Sequence, residues 1–167
     1  MIVLVPAAGY GERLYPLTRD IPKALLPVGE MPILSHLLAS VRTLRDPVLP
    51  DLFIVVSNAR FFGAFEKWRE ESEAPFPIMV LNDGSLSPED RRGQCGDILF
   101  AIEKARIKED LLIIAGDNFL DIPFAPFYRS LFGSPFPVNC LGKVKSKKEA
   151  AKFGVVSLDK EGFISSF

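Results

Sequence analysis

Four short apolar runs, separated by helix-like segments, constrain the fold more than any other feature of this sequence. Each run is continuous instead of alternating and contains many β-branched residues. This is expected of strands in a sheet that helices cover on both faces. Strands that alternate with helices form parallel sheets through right-handed crossovers. We therefore predict the α/β class, a mostly parallel sheet with helices on both faces. The four predicted strands are Ile2–Val5, Leu52–Ser57, Ile78–Leu81 and Leu111–Ala115.

Helical patterns fill the segments between these runs, at Ile33–Arg45, Phe61–Glu71 and Gly96–Arg106. In the first of them the apolar side chains recur every three or four residues and form one stripe. Beyond the fourth run the pattern changes, and residues 135–144, 153–159 and 162–167 predict short strands joined by turns, closer to a hairpin than to a crossover. We see no repeat or linker, so we predict one domain over residues 1–167.

Charge and composition exclude several classes of protein. The formal net charge is −1, whereas a general nucleic-acid binder is usually basic, so we expect no nucleic-acid partner. No apolar run approaches the roughly 20 residues of a membrane span, and we expect no membrane association. Two cysteines do not make a disulfide framework, and the start of the chain lacks the features of a signal peptide. We expect a cytoplasmic protein.

The first long connection, VPAAGYGERLYPLTRDIPKALLPVG at residues 5–29, is the leading candidate site. In open α/β sheets ligands bind beyond the carboxyl ends of the strands. Gly9 and Gly11 let the backbone approach a ligand closely, and successive N–H groups there form a concavity for anions. Arg13 can clamp phosphate oxygens in a bidentate way, and Lys23 supplies a point charge. The alternative is a structural turn with ordinary surface charges.

Two familiar phosphate loops do not match this connection. The Walker pattern needs Gly-Lys-Ser/Thr at a helix start, which is missing. The dinucleotide fingerprint needs a third glycine where this chain has Leu14, so a dinucleotide-dependent oxidoreductase is a weak rival.

Residues 7–34, AAGYGERLYPLTRDIPKALLPVGEMPIL, closely resemble the signature of the sugar-phosphate nucleotidyltransferases, which include the glucose-1-phosphate thymidylyl- and uridylyltransferases. The resemblance implies a Rossmann-like, doubly wound sheet, in agreement with the strand pattern. It also implies that a nucleotide is wrapped by Ala7, Ala8, Gly9 and Gly11. Arg13 would bind the triphosphate, and Lys23 would neutralise phosphate charge during transfer. Glu12 departs from the small hydroxyl residue usual at its position.

A second segment, LNDGSLSPEDRRGQCGDI at residues 81–98, resembles the base-recognition loop of that family. Gly93 matches the glycine that lies against the base, and Asn82 or Asp83 are candidate hydrogen-bond partners. A backbone or amide group at such a place can bind the imide edge of uracil or thymine. The alternative is a polar surface loop.

The fourth apolar run ends in Gly116-Asp117-Asn118. A carboxylate at the carboxyl end of a strand is well placed to hold Mg²⁺ on a nucleotide, because that ion prefers hard oxygen ligands. The resemblance assigns this role to Asp117, which makes Mg²⁺ the expected cofactor. The alternative is an N-cap for a following helix.

The implied reaction joins a nucleoside triphosphate, dTTP or UTP, to a sugar 1-phosphate and gives an NDP-sugar and pyrophosphate. The resemblance covers nearly the whole chain but about the first two-thirds of a family domain, so we expect a domain that is incomplete at its C-terminus. The alternative function is a nucleotide-binding or regulatory module without turnover. Relatives often assemble, and whether this chain forms a homo-oligomer is open.

Overall fold

A computed structural model describes residues 1–44, 49–119, 134–143, 146–151 and 153–166. The chain groups into two compact units, Met1–Tyr128 and Arg129–Phe167. The sequence predicts that both units belong to one domain, and this stays a prediction.

The helices and strands follow one another along the chain as β1 (Ile2–Pro6), β2 (Pro27–Val28), β3 (Met31–Pro32), α1 (Ile33–Val41), β4 (Leu52–Ser57), α2 (Phe62–Glu71), β5 (Ile78–Asn82), α3 (Gly93–Ala105), β6 (Leu111–Ile113), α4 (Lys147–Ala150), β7 (Ser157–Leu158) and β8 (Ile164–Ser166). Two short 3-10 helices, Glu12–Leu14 and Lys23–Leu25, lie in the first long connection. No helix among the described residues is long and apolar enough to cross a membrane.

The first unit is built on a four-stranded parallel sheet with the order β5-β4-β1-β6. Ile2 of β1 lies opposite Leu52 of β4 on one side and opposite Leu111 of β6 on the other. The chain therefore moves outward from β1 to β5 and then returns to the far side of β1. Such a reversal creates a crevice at the carboxyl ends of the two strands, here β1 and β6, where ligands of this architecture bind.

Helices cover both faces of this sheet, as the continuous apolar runs predict. On one face Leu4, Ile54 and Ala101 of α3 belong to a single buried cluster. The alternate strand residues point to the other face, where the ring of Phe53 contacts that of Trp68 in α2. The α/β prediction, with its parallel sheet between helices, is confirmed.

The boundaries of several elements differ from the predictions. Helix α1 ends at Val41, because the next residues tighten into a turn in which Leu44 N bonds to Val41 O at 3.0 Å; the predicted end, Arg45, lies outside the described residues. Helix α3 begins at Gly93, three residues early, because that glycine takes a positive φ of 72° and turns the chain into the helix. The antiparallel pair of β2 and β3 was not predicted.

The second unit contains the predicted hairpin. Strands β7 and β8 pair antiparallel, with Ser157 opposite Ser166. Asp159 Oδ1 accepts hydrogen bonds from Glu161 N and Phe163 N, at 3.0 and 2.8 Å, and so shapes the turn. The strand predicted in residues 135–144 is wrong for 135–143, which form no regular element, because two prolines there remove backbone donors. Val144 lies outside the described residues.

Candidate functional site

The connection after β1 is anchored to the sheet before it turns away. Ala7 N donates to Val56 O at 2.9 Å, which extends the pairing of β1 with β4. Ala8 is buried, and its carbonyl oxygen accepts a hydrogen bond from Asn58 Nδ2 at 2.8 Å. The same Asn58 side chain accepts from Phe61 N at 2.9 Å and is itself fully buried. Asn58 is thus a support of the predicted loop that sequence reasoning missed.

The two glycines of the loop are placed differently. A Cβ built on Gly9 meets no atom of the described chain within 4 Å, so this part of the backbone borders open space. Gly11 has a positive φ of 66°, and a Cβ there would lie 3.0 Å from Thr18 Cγ2. Thr18 Oγ1 also donates to Gly11 O at 2.7 Å. Gly9 is therefore the more accessible of the two to a ligand, and Gly11 turns the chain into the first 3-10 helix.

Lys23 and Asp117 come together although 94 residues separate them. Lys23 Nζ donates to Asp117 Oδ2 at 2.7 Å, and the two side chains are 38% and 44% exposed. The contact lies at the carboxyl ends of β1 and β6, the crevice that the strand order creates. The structure thus unites the residue predicted to neutralise phosphate charge and the residue predicted to hold a metal ion.

Gly116 makes that approach possible. Its N–H donates to Pro6 O at 3.2 Å, so β6 stays paired with β1 beyond its last strand residue. A Cβ on Gly116 would lie 3.0 Å from Val5 Cγ1 and 3.1 Å from Ala7 Cβ. Only glycine allows so close a contact without a shift, and this brings Asp117 beside the first loop. The Gly-Asp pair at a strand end was the sequence signal for this position.

The other charged residues of the first loop lie at the surface. Arg13 is exposed, and no hydrogen bond or ion pair of its side chain is found within the described ranges. Glu12 Oε2 lies 3.7 Å from Arg91 Nη1, with both side chains exposed. The carboxylate that departs from the family signature therefore faces a cation from the 83–92 loop.

The predicted base-contacting residues divide into two accessible positions and one buried position. Asn82 is exposed at the end of β5, and its Oδ1 accepts from Gly84 N at 2.9 Å. Gly93 is exposed at the start of α3. Asp83 is only 3% exposed, and its Oδ1 accepts from both Ser85 N and Ser85 Oγ at 2.8 Å. Asp83 is therefore placed to shape the loop rather than to meet a base.

Asp97 is a buried acid that sequence reasoning did not single out. It lies on α3 one turn before the fully buried Ala101, and it is 5% exposed. Burial first, and then the charge and hydrogen-bond contact of Asp83, raise the pKa of Asp97 to about 6, while the Arg92 guanidinium opposes this shift. The available signal was a carboxylate on the apolar stripe of a predicted helix.

The sequence profile of a family described as nucleotidyl transferase matches residues 2–167. The chain belongs to this nucleotidyl transferase family. The resemblance drawn from the first loop is confirmed, and so is the fold that it implies.

Two relatives illustrate the match to this family. The bifunctional protein GlmU of Methanocaldococcus jannaschii is 29% identical over 164 residues, which is 98% of this chain and 34% of the relative. The bifunctional IPC transferase and DIPP synthase of Aquifex aeolicus is 28% identical over 149 residues, 89% of this chain and 32% of the relative. The chain thus spans about a third of the length of these relatives.

A solved structure supports the fold. The crystal structure of HddC from Yersinia pseudotuberculosis superposes with a TM-score of 0.68 at 17% identity, over 99% of this chain and 67% of the other. At that identity the likeness concerns the fold, and it agrees with the parallel sheet described above.

Proposed function

We propose that the crevice at the carboxyl ends of β1 and β6 binds a nucleoside triphosphate and transfers its nucleoside monophosphate to a sugar 1-phosphate. The products would be an NDP-sugar and pyrophosphate. The observation that supports this most is the contact of Lys23 with Asp117 beside the glycine loop. A cation, a carboxylate and an accessible backbone stretch at one strand edge suit a phosphate chain with its metal ion.

The proposed roles follow from charge. The backbone of residues 7–11, with Ala7, Ala8, Gly9 and Gly11, would wrap the nucleotide, and the exposed Arg13 would bind its triphosphate. Lys23 would neutralise charge at the phosphorus that is attacked. The attacking oxygen of a sugar 1-phosphate is already an anion, so no protein base or nucleophile is required. Catalysis then consists of positioning and electrostatic stabilisation.

Asp117 is the proposed ligand of Mg²⁺. Its donor type fits, because carboxylate oxygen suits that ion. Within the described part of the chain no three His, Cys, Asp or Glu side chains are grouped so that they could hold a metal ion. The ion would therefore take most of its ligands from phosphate oxygens and water, as Mg²⁺ commonly does in nucleotide sites. When bound, it would supply positive charge to the phosphates.

The proposed base is a pyrimidine, from dTTP or UTP. Asn82 is the first proposed contact: its side-chain carbonyl oxygen accepts from Gly84 N, which leaves its NH₂ group able to donate to a carbonyl of the base. The backbone of Gly93 is the second proposed contact. The names of the relatives do not share one nucleotide or acceptor, so CTP and GTP belong in the same test.

The test is calorimetric titration of the chain with dTTP, UTP, CTP and GTP, each with and without Mg²⁺. We expect binding of dTTP or UTP that strengthens at least tenfold with Mg²⁺. Absence of binding by all four would overturn the proposal, and a preference for CTP or GTP would overturn the choice of base.

A second candidate is a nucleotide-binding or regulatory module without turnover. It would hold a nucleotide through the same glycine loop and the same contact of Lys23 with Asp117. Turnover separates the two: pyrophosphate release from the bound triphosphate in the presence of sugar 1-phosphates supports the transferase. Tight binding with no release supports the module.

A further inference from the structure

Two buried aspartates, Asp83 and Asp97, lie in contact beside the candidate nucleotide site, and the proposed reaction does not use their charges. We call them the carboxyl pair. The first follows β5 directly, next to Asn82, and the second lies in the second turn of α3, four residues after Gly93. The two side chains are 3% and 5% exposed. The carboxyl pair therefore joins the two segments that carry the proposed base contacts.

The two members of the carboxyl pair differ in the number of hydrogen-bond donors around them. Asp83 accepts from Ser85 N and Ser85 Oγ and is well supplied with donors. Asp97 Oδ1 is buried and has no donor among the described residues. Its carboxyl group does contact that of Asp83. A buried acceptor without a donor is costly, and two buried like charges in contact are more so.

A single proton removes both penalties. A protonated carboxyl group is a donor as well as an acceptor, so Asp97 can donate to the ionised Asp83. The pair then carries one charge instead of two, as buried carboxyl pairs commonly do. Desolvation favours the neutral form of Asp97 in the same direction.

Arg92 is the cation that faces the carboxyl pair, and its charge only partly offsets the rise in the pKa of Asp97. Its Nε donates to the backbone oxygen of Asp83 at 2.9 Å, and its guanidinium lies over the ring of Phe100, 4.9 Å from the centroid. None of the ion pairs among the described residues joins Arg92 to either aspartate. From the first loop, Tyr10 lies near Asp83.

Tyr10 is a second titratable group near the carboxyl pair. Its hydroxyl is buried without a partner of good geometry among the described residues. Burial raises the pKa of Tyr10, and so do the charges of Asp90 and Asp83, while Ser85 and Arg60 act in the opposite direction. The phenol is therefore neutral and adds no charge to the pair.

We propose that Asp97 is a positioning residue for the candidate nucleotide site: its protonated carboxyl group donates to Asp83 and holds the start of α3 against the end of β5. The positioning role rests on the proposed function of the nucleotide site, whereas the shared proton does not depend on it. The spacing of Asn82 and Gly93 then depends on that proton. At a pH where Asp97 of the free protein has lost this proton, binding of a nucleotide is therefore accompanied by uptake of a proton.

The shared proton is tested on the free protein. Carboxyl carbons of ¹³C-labelled aspartate are followed by NMR from pH 3 to 8 in the wild type, Asp97→Asn and Asp110→Asn. Asp110 is exposed at the start of β6 and serves as the matched control. We expect one resonance with a midpoint well above the others, lost in Asp97→Asn and kept in Asp110→Asn. If no such resonance disappears in Asp97→Asn, the pair does not share a proton.

A second variant separates the effect of the neighbour from that of burial. Asp83→Asn removes the adjacent charge and offers an amide donor, so we expect the Asp97 midpoint to move at least one pH unit lower. An unchanged midpoint would assign the shift to burial alone and would overturn the carboxyl pair.

The positioning role is tested by proton uptake. Titrations with Mg²⁺-UTP and Mg²⁺-dTTP at pH 7.5, in buffers of different ionisation enthalpy, report the protons taken up on binding. We expect the wild type and Asp110→Asn to take up more protons than Asp97→Asn, by up to one per nucleotide. The amide of Asp97→Asn keeps the donor, so its affinity should change less than threefold between pH 5.5 and 8 after the nucleotide's own titration is subtracted.

The outcomes of the two tests are distinct. Equal proton uptake by the wild type and Asp97→Asn overturns the positioning role even if nucleotide binds. No nucleotide binding by the wild type, with the NMR midpoint intact, overturns the proposed function and its dependent role while the shared proton stands.

Discussion

Two regions at the carboxyl edge of the same sheet differ in how their charged side chains are placed. At the ends of β1 and β6, Lys23 and Asp117 carry opposite charges, lie 2.7 Å apart and are more than a third exposed. At the end of β5, Asp83 and Asp97 carry the same kind of group and are buried. An exposed ion pair exchanges its partner readily for another ion, whereas a buried like pair accommodates a proton. We call the first region the exposed end, where we propose that a ligand binds, and the second the buried end, for which we propose a structural role.

The largest expected effect is at the exposed end. Asp117→Asn should weaken Mg²⁺-dependent nucleotide binding about a hundredfold, because a carboxylate ligand is lost, and leave Tm within about 2 °C, because an exposed ion pair adds little stability. Calorimetry with and without Mg²⁺ measures the first and thermal unfolding the second. Asp110→Asn is the control. Equal metal dependence in wild type and Asp117→Asn would contradict the metal role.

The next effect tests how the exposed end is assembled. Gly116→Ala should reduce the free energy of unfolding by about 2 kcal/mol, because its Cβ would crowd Val5 and Ala7 in a packed contact. Gly63→Ala is the matched control, since a Cβ there meets nothing within 4 Å and Gly63 lies within α2. Denaturant unfolding should show that the control is stabilised by up to about 1 kcal/mol. Equal stability of the two variants would show that the close approach at Gly116 is unimportant.

Lys23→Ala should weaken triphosphate binding about tenfold and nucleoside binding hardly at all, because one charge-assisted phosphate contact is lost. Parallel calorimetric titrations with the triphosphate and the nucleoside measure this. The control is Lys108→Ala, an exposed lysine before β6. A similar loss for both ligands would mean that Lys23 has a structural role only.

The buried end predicts a pH effect on stability. The pKa of Asp97 is raised from 3.8 to about 6, so between these values the folded protein binds a proton that the unfolded chain has lost. The free energy of unfolding should therefore fall as the pH rises from about 4 to about 6, by on the order of 1 kcal/mol. Urea unfolding across that range should show a flatter profile for Asp97→Asn. Identical slopes would be evidence against a raised pKa.

The smallest effect on affinity and stability is expected for the ion pair of Glu12 with Arg91, which links the first loop to the 83–92 loop. Glu12→Gln removes an exposed ion pair of 3.7 Å with Arg91, and such pairs contribute about 0 to 1 kcal/mol. Nucleotide affinity and Tm should stay close to wild type. A tenfold loss of affinity would instead make Glu12 part of the binding site.

The strands were predictable because each is a continuous apolar run, and their observed starts agree with the predicted ones. The start of α3 was not, because a glycine with positive φ at Gly93 looks the same in sequence as a loop glycine. The roles proposed for Lys23 and Asp117 came from motifs, but their contact depends on β6 lying beside β1, which local sequence does not encode. Asp97 escaped notice because its partner, Asp83, meets it only through tertiary packing.

The central position of β1 has a consequence for synthesis of the chain. This strand precedes both of its neighbours in the chain, and Ile2 pairs with Leu52 and Leu111, which are synthesised much later. The nascent chain therefore carries an unpaired apolar strand until β4 is made, a period in which it is exposed to aggregation. Pairing on the second side awaits β6, so Lys23 meets Asp117 only when most of the first unit has emerged. Among the described strands of the parallel sheet β6 comes last in the chain, so the contact of Lys23 with Asp117 forms only after its synthesis.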